Sequence, residues 1–216
     1  MPSSRPLRSR RSMRATSPGR RPTRVCVVKA ERAPTPPTGR LALRDFEVAG
    51  DVPTAHAWLT DPHARFWGMG SNTPSETHDY FARIAASRTH EAWLGTHDDR
   101  PTFLVECYAP AADVIGRFYD VAAGDLGMHI LIAPPTTRRR GFTWAVFSFV
   151  VDTIFACTAA ERIVVEPDID NTGIHRLNAR AGFVVERAID TGEKTALLSY
   201  LTRARHAQWP PSGDPS

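Results

Sequence analysis

The sequence predicts an α/β or α+β domain, in which strands with interspersed helices build one sheet. Seven short stretches are either apolar or alternate apolar and polar residues, as strands do. Stretches with the helical period lie between them. The chain has 216 residues, of which 42% are hydrophobic. That is enough for one domain with a sizeable core, and no second domain is required.

The first half of the predicted domain contains three strands and two helices. Residues 41–46 alternate apolar and polar side chains and fit a first strand, and helical patterns follow at about 51–59 and 77–87. Residues 91–95 and 101–108 have the composition of two further strands. The polar segment THDDR between them suits a hairpin turn, so these strands are expected to be antiparallel neighbours.

The second half begins with a strand at 127–132, whose near-continuous apolar character indicates a position covered on both faces. In the helix predicted over 142–156, one apolar stripe should face the sheet: Phe147, Val150, Val151 and Ile154. The remaining elements are a short buried strand at 162–166, a helix at 172–181 with Asn171 as N-cap and Gly182 as its end, and closing strands at 183–188 and 195–201.

Charge is distributed unevenly along the chain. The net charge is +4, but residues 1–32 hold ten Lys or Arg and one Glu, or +9, which leaves 17 against 22, or −5, for the remainder. We therefore predict a disordered Arg/Pro/Ser-rich tail at 1–38, a folded domain at 39–204 and a flexible C-terminal tail at 205–216. A nucleic-acid arm or a transit peptide is the alternative for the first tail. Its prolines and its lack of aromatic residues argue against both, so no nucleic-acid partner is expected.

The sequence has neither the apolar core of a signal peptide nor a run of about 18 apolar residues that could span a membrane. A soluble, cytoplasmic protein is therefore expected. Its three cysteines, Cys26, Cys107 and Cys157, have no spacing that suggests disulfides or a metal site. We expect reduced thiols and no metal.

A basic turn precedes the helix predicted at residue 142. The first backbone N–H groups of a helix have no intrahelical partner and lie at the positive end of its dipole, so such a turn can hold a phosphate or pyrophosphate. A solvated surface turn is the alternative. The candidate anion-binding residues are Arg138, Arg139, Arg140, Gly141, Phe142 and Thr143.

This turn and the helix from Asn171 to Ala181-Gly182-Phe183 resemble the two CoA-binding motifs of the GCN5-related N-acetyltransferases, the GNAT superfamily. Arg138-x-x-Gly141-x-Thr143 corresponds to its Gln/Arg-x-x-Gly-x-Gly/Ala loop, and Thr143 departs from that pattern. The resemblance implies a GNAT fold, with a mixed central sheet of about seven strands flanked by helices. It also implies acetyl-CoA or a longer acyl-CoA as co-substrate, with Asn171 on the cofactor side.

Within the superfamily, the chain is most similar to the siderophore-biosynthesis N-acyltransferases of the aerobactin and mycobactin type. The similarity covers residues 41–201 and implies acyl transfer to the side-chain amine or hydroxylamine of a lysine- or ornithine-like acceptor. It rests on Trp58-Leu59-x-x-Pro62 with Trp67, on GDLGMHILI with His129, and on Glu166-Pro167-Asp168-x-x-Asn171.

Transfer from a thioester to an amine requires a deprotonated nitrogen, a polarised carbonyl and a stabilised thiolate. The resemblance places His129 one or two residues from the point where two strands separate beside the thioester. It makes His129 the base, and Asp168 the residue that holds the acceptor's ammonium or orients the base. Without the resemblance, a histidine in an apolar strand is interpreted as a core residue. Asp168 is then interpreted as a turn residue, and Asp170 competes for the same functional role. Asn178 stands where many members have a tyrosine acid, so no general acid is identified.

Trp58 and Trp67 are candidates to line the acceptor pocket, with core packing as the alternative. The rival enzymatic function is aminoglycoside N-acetylation, which shares the loop, although the histidine in GMHILI favours the siderophore branch. A non-catalytic CoA-binding module is the alternative from a different class of function. A monomer or a homodimer is expected, and the sequence does not fix the acyl chain length.

Overall fold

The computed structural model describes residues 39–135 and 139–208. The predicted tail at 1–38, Arg138 and residues 209–216 lie outside the described part of the chain. The strands are β1 (Leu41–Asp45), β2 (His90–His97), β3 (Arg100–Tyr108), β4 (Asp125–Ile132), β5 (Arg162–Val165), β6 (Val184–Asp190) and β7 (Thr195–Thr202). The helices are α1 (Val48–Leu59), α2 (Pro74–Ala86), α3 (Phe142–Cys157), α4 (Thr172–Ala181) and α5 (Arg203–Ala207).

The seven strands form one mixed sheet in the order β1-β2-β3-β4-β5-β7-β6. All neighbours are antiparallel except β4 and β5, which are parallel and are joined by the crossover helix α3. The predicted fold class, a mixed sheet of about seven strands with flanking helices, is therefore confirmed. No helix within residues 39–135 and 139–208 is long and apolar enough to cross a membrane.

Several boundaries differ from the sequence-based prediction by a few residues. The β2–β3 turn is shorter than predicted, because Asp98 and Asp99 both adopt positive φ and close a two-residue hairpin. Helix α2 begins three residues early, since Thr73 and Glu76 form a capping box. The domain boundary predicted at residue 204 falls inside α5.

Each face of the sheet is covered by two helices. The predicted stripe of α3 is buried against one face, with Phe147, Val150 and Ile154 fully enclosed, and α4 lies beside it. Helices α1 and α2 cover the other face over Leu104 of β3 and Leu131 of β4. Side chains of β3 and β4 therefore alternate between two separate cores.

The parallel pair β4/β5 is closed at one end and open at the other. Only three residue pairs join these strands, the last being Gly127 with Val164. At the closed end, the Arg162 guanidinium donates two hydrogen bonds of 2.7 Å to the buried carboxylate of Asp125. Beyond Gly127, β4 continues without β5, so the two strands separate and a cleft opens between them.

Candidate active site

A cavity of about 430 Å³ lies where β4 and β5 separate. Its walls come from β4, from the segment after β5, from α4, from the short 3₁₀ segment Pro62–Trp67 and from the β6–β7 turn. His129 faces this cavity from the second position beyond the last β4–β5 pair, as the sequence predicted for a residue beside the point of separation.

His129 stands between two glutamates. Its Nε2 lies 2.8 Å from Oε1 of Glu166, the first residue after β5. Its Nδ1 lies 3.6 Å from Oε2 of Glu106, which is directly opposite on β3. The side chain of His129 is 40% exposed, so one part of the ring remains open to the cavity. This placement excludes the simple core-histidine interpretation.

The imidazole of His129 lies between two carboxylates and therefore prefers its protonated form. Burial alone lowers the pKa of His129, but the charges and hydrogen bonds of Glu166 and Glu106 outweigh burial and raise the pKa to about 10. Burial likewise raises the pKa of both carboxyl groups, and the facing imidazolium lowers each below its ordinary value. At neutral pH the three groups therefore carry one positive and two negative charges.

Tyr108 holds the carboxylate of Glu166 through a hydrogen bond. Its hydroxyl donates a 2.9 Å hydrogen bond to Oε2 of Glu166 and lies 3.5 Å from Nε2 of His129. The ring crosses β4 over Gly127, where a Cβ atom would stand 2.2 Å from ring carbons of Tyr108. Burial raises the pKa of Tyr108 well above its usual range, so the hydroxyl remains a donor. Gly127 is thus required for this hydrogen bond.

Glu106 is fully buried, and residues of α2 and β2 also contact its carboxylate. Tyr80 of α2 donates a 2.9 Å hydrogen bond to its Oε2, and Nε2 of His90 lies 3.3 Å from the same oxygen. The other oxygen, Oε1, has no hydrogen-bond partner among the described residues. A buried carboxylate is stabilised only when charges or donors face it, so Glu106 depends on the Tyr80 hydroxyl and on the nearby rings of His129 and His90.

The predicted acceptor residues divide into two groups. Trp67 lines the cavity and meets His129 edge to face, with ring centroids 5.8 Å apart. Trp58 does not line it, because α1 directs this side chain into the core shared with α2. Asp168 lines the cavity, but one carboxylate oxygen accepts the N–H of Asp170 at 2.8 Å, so it also forms the predicted turn. The turn interpretation of Asp168 is therefore confirmed, and its role toward the acceptor stays a prediction.

The predicted anion loop lies at the N-terminus of α3, outside the cavity lining. Gly141 is the N-cap with φ +80°, and no side chain caps the helix. An added Cβ at Gly141 would meet no atom within 4 Å, so glycine is needed here for its backbone angle. Arg139 contacts His97, Phe142 packs edge to face on the same ring, and Arg140 and Thr143 are exposed. Arg138 lies outside the described residues.

Two asparagines of the α4 region face the cavity. Asn171 caps α4 by accepting the N–H of Ile174 at 3.3 Å, which confirms the predicted cap. Asn178 is 4% exposed, and neither Oδ1 nor Nδ2 has a hydrogen-bond partner among the described residues. An amide buried in this way costs free energy unless a ligand supplies both a donor and an acceptor. A second amide, such as those of the pantetheine arm of CoA, has that complementarity.

Sequence reasoning gave no role to Glu106, Glu166 or Tyr108. One signal was present for Glu106, since a carboxylate stands in the otherwise apolar stretch FLVECY and must find partners there. Glu166 was part of a recognised motif without a role of its own. The contact of Tyr108 depends on a glycine in another strand, which no local pattern reveals.

Comparisons with known proteins identify the family of this chain. The model of the acetyltransferase (GNAT) domain family matches residues 47–191. The N-hydroxyputrescine acetyltransferase of Acinetobacter baumannii is 26% identical over 77% of this chain and 80% of its own length. The lysine N-acyltransferase MbtK of Mycolicibacterium paratuberculosis is 31% identical over 70% of each chain.

Among solved structures, the acetyltransferase AAC(6')-Ib in complex with paromomycin and acetyl-CoA superposes with a TM-score of 0.70 at 18% identity. The superposition covers 80% of this chain and 99% of that one. At this identity the likeness establishes the fold alone. Because the family model matches more than half of the sequence and the predicted similarity to lysine N-acyltransferases is confirmed, this chain belongs to the GNAT acetyltransferase family of acyl-CoA-dependent N-acyltransferases.

Proposed function

We propose that this protein transfers an acyl group from acetyl-CoA or a longer acyl-CoA to the side-chain amine or hydroxylamine of a lysine- or ornithine-like acceptor, in hydroxamate siderophore assembly. The observation that carries the proposal is the Glu106–His129–Glu166 group at the open end of β4/β5. The names of the two relatives, one acting on N-hydroxyputrescine and one on lysine, support this class of acceptor.

In this proposal, acyl-CoA lies along α3 and α4. Its pyrophosphate binds at the N-terminus of α3, where no side chain caps the helix, beside Arg139 and Arg140, with Arg138 a further predicted contact. Asn171 lies on the cofactor side of the cleft, and the unpartnered amide of Asn178 pairs with a pantetheine amide or with the thioester. The thioester carbonyl then stands beside the open part of the His129 ring.

The acceptor nitrogen attacks the thioester carbon, and its lone pair forms the new C–N bond. The nitrogen loses a proton, the C–S bond breaks, and CoA leaves as the thiolate. We assign the proton to Nε2 or Nδ1 of His129 in its neutral form. A general base works best with a pKa near the working pH, so the raised pKa of His129 must fall when the acceptor binds. An ammonium held by Asp168 has that effect, because like charges disfavour the imidazolium.

An N-hydroxylated acceptor suits this resting state particularly well. An alkylhydroxylamine is a much weaker base than an alkylamine, so its nitrogen is neutral at physiological pH and can attack without losing a proton first. Protonated His129 then donates a hydrogen bond to the carbonyl oxygen, and the proton that the nitrogen loses goes to the departing thiolate, because the lowered pKa values of Glu106 and Glu166 make them poor proton acceptors. The hydroxylamine is therefore the acceptor that we expect to react faster.

The test is a panel of acceptors and donors. N-hydroxylysine, N-hydroxyornithine, lysine and an aminoglycoside are assayed with short and long acyl-CoAs, using wild type and His129→Gln. We expect hydroxylamine acylation in wild type and a loss of about 10²–10⁴ in kcat/KM in the variant. Turnover of the aminoglycoside alone would instead support antibiotic acetylation, and CoA binding without any turnover would support a non-catalytic module.

A further inference from the structure

Lys194 is the feature of the cavity that the proposed chemistry leaves unused. Four carboxylate side chains line the cavity, and an acidic cleft attracts an amine. Lys194 is the only lysine or arginine among the described lining residues. Its positive charge works against simple amine binding, so its position needs another explanation. The lining carboxylates are Asp113, Glu166, Asp168 and Glu193.

The backbone of Lys194 is fixed by the turn between β6 and β7. The N–H of Thr191 donates to the carbonyl of Lys194 at 3.0 Å, and the N–H of Lys194 donates to Oγ1 of Thr191 at 3.2 Å. The next residue, Thr195, accepts the N–H of Ile169 at 2.9 Å, which ties this turn to the segment that carries Asp168. Lys194 is therefore held beside the cavity by hydrogen bonds on both sides.

The ammonium of Lys194 has no fixed partner in the described part of the chain. It forms no ion pair or hydrogen bond there, although the side chain is partly buried. It acts on Glu166 only through space. A partly desolvated cation without a partner favours binding of an anion. Glu166 in turn contacts His129 at 2.8 Å, so Lys194 and His129 both act on this carboxylate.

We propose that Lys194 binds the carboxylate of an α-amino-acid acceptor whose side-chain nitrogen reaches His129. The proposal rests on the proposed function and assigns the residue that would favour an amino-acid acceptor over the corresponding diamine. Glu193 and Asp168, which line the same end of the cavity, would flank the α-ammonium. A diamine would place a second ammonium beside Lys194, where like charges repel. Lys194 is thus a specificity-determining residue.

Matched acceptors isolate the carboxylate. Ornithine and putrescine differ only in that group, as do lysine and cadaverine, and the N-hydroxylated forms give two further pairs. Steady-state kinetics with acetyl-CoA are measured for wild type, for Lys194→Met, which keeps the length but loses the charge, and for Arg205→Met. Arg205 is exposed on α5 and does not line the cavity, so this control changes the net charge equally. Calorimetric titration of the same acceptors reports binding without chemistry.

We expect wild type to prefer the carboxylate member of each pair by about tenfold or more in kcat/KM, the size of one charge-assisted contact. In Lys194→Met this ratio should fall about tenfold through a higher KM for the amino acid, while Arg205→Met keeps the wild-type ratio. An unchanged ratio in Lys194→Met, or a wild-type preference for diamines, would overturn the proposal. Failure of wild type to acylate or bind any of these acceptors would overturn the proposed function itself.

Discussion

The imidazole of His129 and the carboxylate of Glu166 meet at 2.8 Å across the point where two parallel strands separate. His129 belongs to β4, and Glu166 follows the last residue of β5. The contact joins the two walls of the cleft, and it also sets the protonation state of the residue that we propose as the base. Both consequences can be tested separately.

Glu166→Gln should move the pH dependence of catalysis. Removing the facing carboxylate removes a cause that raises the pKa of His129, so neutral imidazole becomes available at lower pH. If His129 is the base, the acid limb of the kcat/KM profile shifts to lower pH. The matched control, Glu161→Gln, changes an exposed carboxylate outside the cavity and should leave the profile unchanged. A falling alkaline limb that shifts instead would identify the imidazolium as a donor.

His129 should also stabilise the fold in a pH-dependent way. Its folded pKa is raised above the unfolded value of 6.5, so its stabilising contribution is complete below about pH 6.5 and is lost as the pH rises through the folded pKa. Because the side chain is 40% exposed, solvent screening limits the contribution to about 1–2 kcal/mol. Urea unfolding of wild type and His129→Gln should show this difference at pH 6 and a smaller one at pH 9.5. A constant difference would contradict the ion-pair account.

Asn178→Leu should separate stability from acyl-CoA binding. Leucine has nearly the same shape and removes two buried polar atoms without partners, so the free energy of unfolding should rise by about 1 kcal/mol. The same change removes the proposed partner of the thioester or pantetheine, and the KM for acyl-CoA should rise about tenfold. Thermal unfolding and steady-state kinetics measure the two effects. A less stable variant would mean that Asn178 has partners within the protein.

Gly141→Val tests the anion loop. A β-branched residue is strained at φ +80°, so the start of α3 should shift and the KM for acyl-CoA should rise far more than the KM for the acceptor. Gly124→Val is the matched control, since Gly124 has φ +91° directly before β4 and does not line the cavity. Equal effects of both variants on the two KM values would remove the loop from CoA binding.

Gly127→Ala should disrupt the support of Glu166. The new methyl group would occupy the place of the Tyr108 ring, at a cost of about 1–3 kcal/mol in stability. If the displaced hydroxyl no longer reaches Glu166, kcat should fall as well. Gly50→Ala in α1 is the control, because its nearest neighbour atom lies 4.0 Å away and alanine favours helices. Full activity in Gly127→Ala would show that the Tyr108 contact is dispensable.

The sequence predicted the order of the elements because each leaves a local signal. The apolar stripe of α3, the cap at Asn171 and the glycine that ends α4 all need only neighbouring residues to be recognised. The position of His129 beside the separating strands was also predicted. Its partners were not, because Glu106 and Tyr108 reach it from β3 and Glu166 reaches it from the end of β5, two distant places in the chain. Trp58 and Trp67 look alike in the sequence and both pack against the core of α1 and α2, but only Trp67 also lines the cavity.

The three-pair junction of β4 and β5 has a mechanical consequence. Strands β1–β4 form one half of the sheet and β5–β7 the other, and the ladder between the halves has only the pairs from Asp125 to Gly127. The Asp125–Arg162 ion pair joins the two halves at the closed end of this junction, and the His129–Glu166 contact joins them at the open end. Loss of the proton from His129 weakens only the His129–Glu166 contact. Each proton transfer in the cleft would therefore also change how strongly the two half-sheets are held together, and so how tightly they enclose a bound substrate.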